Sequence, residues 1–369
     1  MARSVGAREA TVFRMSRHGM VERASRRAKL ANVVGLGLQD TTDLAAAQAL
    51  ALRRMDPQPS DLTQAVRAGD LLPTWGPRLA AILAPPDAEP LVTAALLQAT
   101  GGDGVAALAH ELAPYAVERL REDGPLTKAE VGKAIAPRVP DRAMQDCQRC
   151  GRRHPSETLV KMLVWTHRVR LDADLLTDRA GRWAPAARWR PRRHRKATDD
   201  QRAELVRSYL SRFAPSTPAA FADWAGIETS HAQTCWRLVE DELTPAPTTA
   251  SAKAMALTED LDALAAPPLP PRARLVPPYD PFLQLRDRET LVPDAAHRRA
   301  LWRAVANPGL VLIDGQAAGT WRGRRTHDHL LVTVSPFQPI TRQRLRDVDQ
   351  DLETIAVAAG CETVEVNLE

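Results

Sequence analysis

Cysteine is scarce in this 369-residue chain. The four residues Cys147, Cys150, Cys235 and Cys361 are too few to form a disulfide framework in a protein of this size, which fits a reducing compartment. Long apolar runs are missing too. No stretch approaches the roughly 20 residues that span a bilayer, and the N-terminal segment has no signal-peptide core, so a cytoplasmic protein with no membrane partner is expected. Lysine occurs only at positions 29, 128, 133, 161, 196 and 253, and the positive charge is nearly all arginine. With 50 basic against 45 acidic residues the net charge is +5, which permits a polyanionic partner without requiring one. Arginine forks onto phosphate, yet a GC-rich genome produces the same excess of Arg, Ala and Pro. No fixed-period repeat is found. Gly101-Gly-Asp-Gly104 lacks the strand, Lys and Ser/Thr of a phosphate loop and reads as a turn.

What is present suits two to four packed domains: 44% of residues are hydrophobic and 26% charged. Met1 to Lys29 is arginine-rich and reads as a frayed basic lead-in with Val12, Phe13 and Met15 as anchors. Gly35 and Gly37 let the backbone bend before an alanine-rich helix at Leu44 to Arg54, which puts Gln39 and Asp40 at a helix mouth. A short helix is expected over Asp61 to Ala68, then proline-bounded packing elements from Leu71 onward. Thr127-Lys-Ala-Glu130 spells a capping box, a second helix is expected from Pro155 through Leu163, and Val169 to Leu171 opens a hairpin turning at Asp178 to Trp183. Thr217-Pro218 begins a helix with Phe221 and Trp224 inward. Ser230-His-Ala-Gln233 spells another capping box, ahead of a stripe of Ala232, Cys235, Trp236, Val239 and Leu243. Such a helix-turn-helix order occurs both in DNA-binding proteins and in others. Pro245 to Ala252 and Ala265 to Pro271 read as linkers around a helix at Leu257 to Leu264.

The most distinctive stretch is Leu275 to Trp321. Gly309 to Ile313 is a strand, Asp314-Gly315 a hairpin turn and Gln316 to Arg322 the returning strand. Leu330 to Val334 is a further strand, followed by a helix at Thr341 to Ala359 and a last strand at Thr363 to Leu368. Pro277-Pro278-Tyr279-Asp280-Pro281-Phe282 must be an ordered turn in which Tyr279 and Phe282 pack. The combination of P-P-Y-D-P-F, R-D-R, L-V-P-D, N-P-G-x-V-L-x-D-G and G-T-W-R resembles the C-terminal module of the winged-helix DNA glycosylase superfamily, the AlkZ/YcaQ type. That resemblance implies a mostly helical α+β chain: three tandem winged-helix units (1–110, 111–197 and 198–272) followed by a small C-terminal β-barrel-like domain (273–369). It implies a monomer that binds double-stranded DNA and, without a cofactor, excises bulky N7-alkylated purines, in alkylation or crosslink repair or in self-resistance.

In that family a G-L-Q-aliphatic-Q-D stretch, followed by a helix bearing A-L-x-x-R, positions water against C1′ of the damaged nucleotide. Gln39 falls on the second glutamine, Asp40 on the acid, and Leu50 and Arg53 on the helix, whereas the first glutamine falls on Gly37. A W-x-x-R-G element followed by a His is met by Trp75 and Arg78, with Ile82 in the His place. The resemblance thus makes Gln39 and Asp40 the candidate catalytic residues and Arg53 and Arg78 candidate DNA contacts. Independently of it, Arg188, Arg190, Arg192, Arg193, Arg195 and Lys196 cluster around Trp183 and Trp189. With no interleaved acid, the cluster favours DNA phosphate over a solvated linker. Cys147-Gln-Arg-Cys150 with His154 has half of a zinc-site spacing but no partner pair, so no metal is expected and buried cysteines suffice. His327-Asp-His329 would share one strand face but lacks a third ligand. A DNA-binding protein without chemistry, either a damage sensor or a regulator, is the alternative from a different class.

Overall fold

The computed structural model describes residues 4–42, 44–97, 104–148, 150–177 and 183–369. Most of the Asp178 to Trp183 turn and of the Gly101 to Gly104 run lies outside the described residues. Three times along the chain, helices lead into an antiparallel strand pair. Helices Ala45–Ala51 and Asp61–Ala68 precede strands Leu72–Trp75 and Ala81–Ala84, and the two-residue strand Leu38–Gln39 joins the latter at its outer edge. Helices Val105–Glu122, Lys128–Ile135 and Glu157–Trp165 precede Val169–Thr177 paired with Trp183–Pro191. Helices Asp199–Phe213, Pro218–Ala225 and Thr229–Arg237 precede Leu243–Pro245 paired with Met255–Leu257.

Local chemistry accounts for the boundaries. The Thr127 box forms: Glu130 N donates to the Thr127 hydroxyl and Thr127 N to the Glu130 carboxylate. Pro218–Ala225 has Thr217 as its cap and ends at left-handed Gly226. Trp224 and Trp236 are buried, as their spacing requires. The 230–233 box does not form. Its helix starts at Thr229, with Glu228 capping through backbone alone, so Ser230 already lies inside the first turn. Helix Asp199–Phe213 adds to the expected elements. Thr198 and Gln201 cap it reciprocally, and Leu205, Val206, Tyr209, Leu210 and Phe213 form its buried stripe. The expected helix at Leu257 is shorter, a 3-10 turn running into Leu261–Ala265, and the 245–252 linker is the tip of a hairpin.

The N-terminal segment departs most from expectation. It is not a frayed lead-in but an eleven-residue helix, Ala7–Arg17, that buries Ala10, Thr11, Val12, Phe13, Arg14 and Met15. Arg14 is 1% exposed and donates to both carboxylate oxygens of Asp287 and to the carbonyls of Ala214 and Pro215. A buried guanidinium is tolerable only when its N–H groups are partnered in this way.

In the C-terminal part, strands Ala273–Val276, Gly309–Ile313, Gln316–Thr326 and His329–Pro336 run antiparallel in chain order. Asp314 and Gly315, at φ 49° and 77°, form the hairpin turn. The last strand, Thr363–Leu368, pairs parallel to His329–Pro336. A parallel pair needs a crossover, and helix Asp349–Ala359 supplies it, laying Leu352, Ile355, Ala356 and Ala359 on the sheet. The sheet is therefore open rather than barrel-like: Ala273–Val276 and Thr363–Leu368 are its edges, and the helix fills the space that a lumen would need. His327 sits in a turn at φ 54°, so it does not share a strand face with His329.

Candidate active site and nucleic-acid interface

Gln39 and Asp40 stand where the short strand meets the hairpin of the first unit. Leu38 is fully buried opposite Leu83, which turns Gln39 outward, directly across from Ile82. The two departures from the family pattern thus flank the retained glutamine in space. Asp40 is half-buried and its N–H donates to the Ala81 carbonyl. The Gln39 amide is held by side chains alone. Its Nε2 donates to Thr41 Oγ1 at 2.7 Å, and its Oε1 accepts from Gln284 Nε2 at 3.0 Å. An amide offers two donors and two acceptor lone pairs, so one of each remains for water.

Gln284 comes from the turn after the P-P-Y-D-P-F run, and no motif or spacing singles it out; it is 245 positions away from Gln39. It lines a narrow cleft together with Gly37, Ile82, His18 and Arg212. Arg212 donates to the Ser208 carbonyl, and its guanidinium covers Gly35 so closely that any Cβ there would collide with it. Burial, then Arg17 and Arg53, lower its pKa. His18 donates from Nδ1 to the Arg14 carbonyl at 2.8 Å and packs edge-on against Phe213 and Phe282. Burial first and Arg53 second push its pKa down to about 3, so the ring is neutral.

Arg53 is not available to a DNA backbone. It is 2% exposed, with its two terminal nitrogens each 2.7 Å from an Asp280 oxygen, a bidentate clamp between the first unit and the P-P-Y-D-P-F turn. Arg78 is also engaged: at φ 55° it donates to the Trp224 carbonyl, and burial, then Arg286, push its pKa down to about 9. Both residues position the surroundings of Gln39 rather than presenting free charge.

The basic run divides in two. Strand alternation buries Trp189 and turns Arg188 and Arg190 outward, where they meet Glu130 at 3.9 Å and Asp172 at 2.5 Å. Arg192 spans both oxygens of buried Glu89 at 2.9 Å. Burial alone would raise the Glu89 carboxyl, but His167 and Arg192 outweigh it and hold it below the ordinary range. The acids absent from the run itself therefore arrive from other elements. Arg193, Arg195 and Lys196 remain exposed. Arg195 and Lys196 edge a groove with His110, Arg168, His194 and Arg202. His110 and His194 both have lowered pKa values, first from burial and then from these neighbouring cations, as expected of a positively charged groove.

A family model described as DNA glycosylase AlkZ-like matches residues 30–357. The chain belongs to that family. Among solved structures, DNA glycosylase AlkZ of Streptomyces sahachiroi is similar over 100% of both chains, with 22% identity and a TM-score of 0.73, and so shares the fold. No curated protein sequence matches. None of the helices in the described residues is long and apolar enough to cross a membrane.

Proposed function

We propose that this member of the AlkZ-like family is a monofunctional DNA glycosylase that binds duplex DNA through three tandem winged-helix units, 1–110, 111–197 and 198–272, with 273–369 closing the cleft beside them. The repeated order of helices followed by an antiparallel pair supports the winged-helix reading. The observation that carries the catalytic reading is the pair of amides in which Gln39 is hydrogen-bonded to the cleft-lining Gln284 with donor and acceptor capacity to spare. The substrate class is a bulky N7-alkylated purine. Such a base is already cationic, so when water attacks C1′ the glycosidic electrons return to the ring, a neutral base departs and the attacking water loses its proton to solvent. Little general-acid help is needed, and an oriented water supplies the rest. Asp40 offsets positive charge developing on the sugar. Arg193, Arg195 and Lys196 hold phosphates, with Arg188 and Arg190 exchanging their carboxylate partners for DNA.

The test is incubation with an N7-alkylated duplex, followed by alkali and a count of strand breaks at abasic sites. Wild type should release base, and Gln39→Ala should abolish release while keeping DNA affinity, because that loss falls on the transition state. A second reading, a DNA-binding damage sensor or regulator without chemistry, is favoured by Gly37 and Ile82 at the two presumed site positions. Absence of release from several N7-alkylated duplexes, or equal release by Gln39→Ala, would hand the function to it.

A further inference from the structure

The hairpin Met144–Cys147 with Arg152–Pro155 brings Cys147, Cys150 and His154 together. Their ligand atoms all lie within 4.8 Å of one another, and none of the three belongs to the cleft or the basic groove. We propose that these three residues form a binding site for a zinc-like divalent cation, with water in the fourth position, and that the ion fastens this hairpin between helices Lys128–Ile135 and Glu157–Trp165.

Three observations carry the assignment. First, the chain turns back on itself after Cys147: the Gly151 N–H donates to the Cys147 carbonyl at 2.8 Å, Gly151 takes φ 66°, and the thiols of Cys147 and Cys150 lie within 4.8 Å of each other. Second, the His154 ring is oriented for a metal. Its Nδ1 lies 2.8 Å from the Pro155 carbonyl, which can only accept, so Nδ1 carries a hydrogen and Nε2 is the nitrogen that a neutral ring would offer to an ion. Third, the hairpin is short and only partly buried. Its strands are four residues each with Pro155 alone fully buried, and Cys150 is exposed with Cys147 half-buried, against the expectation that both simply fill a core. An isolated pair of this length is marginal in water. Tetrahedral zinc with bonds of roughly 2.0–2.3 Å sets its ligands roughly 3.5–4 Å apart, so the observed cluster closes on an ion with sub-ångström shifts. Two thiolates and an imidazole select a borderline-soft ion over magnesium or calcium.

The experiment uses the full-length chain, kept reduced, stripped with a chelator and titrated with cobalt(II). Expected are the visible absorption of tetrahedral cobalt and a near-ultraviolet thiolate-to-cobalt band, saturating at one equivalent, bleached by zinc and untouched by magnesium. Cys147→Ser and Cys150→Ser should each lose most of the charge-transfer band. His154→Ala should weaken binding by at least about tenfold, since even an outer-sphere partner of a metal ligand is worth that much, and Cys361→Ser should leave the spectrum unchanged. The wild-type spectrum reports its ligands directly, so the proposal does not depend on every variant folding. It is overturned if reduced wild type shows no thiolate-to-cobalt band, if the band survives the Cys147→Ser/Cys150→Ser double variant, or if the two cysteines are recovered as a disulfide from reducing buffer.

Discussion

Gly37 holds φ 129°, and a Cβ there would sit 2.8 Å from the Leu83 carbonyl and 3.2 Å from Ala84 Cα. The family's first glutamine therefore cannot be restored by substitution alone. Gly37→Gln should lower stability by about 1–3 kcal/mol from backbone strain and leave base release no higher than wild type, measured by urea unfolding beside the strand-break assay. An active, stable variant would show that the strand before Gln39 shifts freely. His18 offers a second prediction. The folded chain keeps its ring neutral down to about pH 3, whereas the unfolded chain binds a proton below about 6.5. Unfolded molecules then hold more protons, so stability should fall as pH drops through that window, by up to about 1.4 kcal/mol per pH unit from this group. His18→Asn, which retains a donor for the Arg14 carbonyl, should flatten that part of the urea-midpoint profile. Equal slopes in the two proteins would place the proton uptake elsewhere.

At the scale of elements, the basic run is two devices in series. Its strand half is tied to Glu130, Asp172 and Glu89, and only the segment leading into helix Asp199–Phe213 presents cations without a carboxylate among the described residues. Neutralising Arg193, Arg195 and Lys196 should weaken binding to every DNA sequence and flatten the salt dependence by up to about 0.9 units of log K per log salt for each phosphate left unneutralised. An unchanged slope rejects the groove as a DNA-binding surface. Arg192→Ala should behave differently, because it leaves the Glu89 carboxylate buried beside His167 without its fork; the loss there is in stability. The run was legible as residues, and the alternation around Trp189 follows from period two once the strand is known. The division was not, because the neutralising acids lie up to 103 positions away.

For the whole molecule, buried arginine–aspartate pairs join the start of the chain to its end. Arg53 meets Asp280, Arg14 meets Asp287, and Arg23 and Arg274 share Asp351, which also accepts from Leu275 N. Through them the turn carrying Gln284 is locked to the unit carrying Gln39. Asp280→Asn keeps the cap on Phe282 but leaves Arg53 without its counter-charge, so it should cost about 3–5 kcal/mol in urea unfolding. The double variant Arg53→Met/Asp280→Asn should cost less than the two singles added together. Strict additivity would mean that the pair does not couple the two parts.

The sequence by itself determined the elements whose causes are local. Capping at Thr127 and Thr217, the Asp314-Gly315 turn, the strand alternation and the P-P-Y-D-P-F turn all depend on residues within a few positions of one another, and the last carries enough identity to mark the family. Tertiary structure alone decided the surroundings of Gln39. Helix Ala7–Arg17 reads as a basic tail until Asp287 and two carbonyls partner Arg14. Arg53 reads as a DNA contact until Asp280 buries it, and Gln284 gains meaning only when folding closes a gap of 245 residues to Gln39. Short-range hydrogen bonds and side-chain periodicity are written in neighbouring residues, whereas the partner of a buried charge or a half-buried amide is chosen by the packing of distant elements.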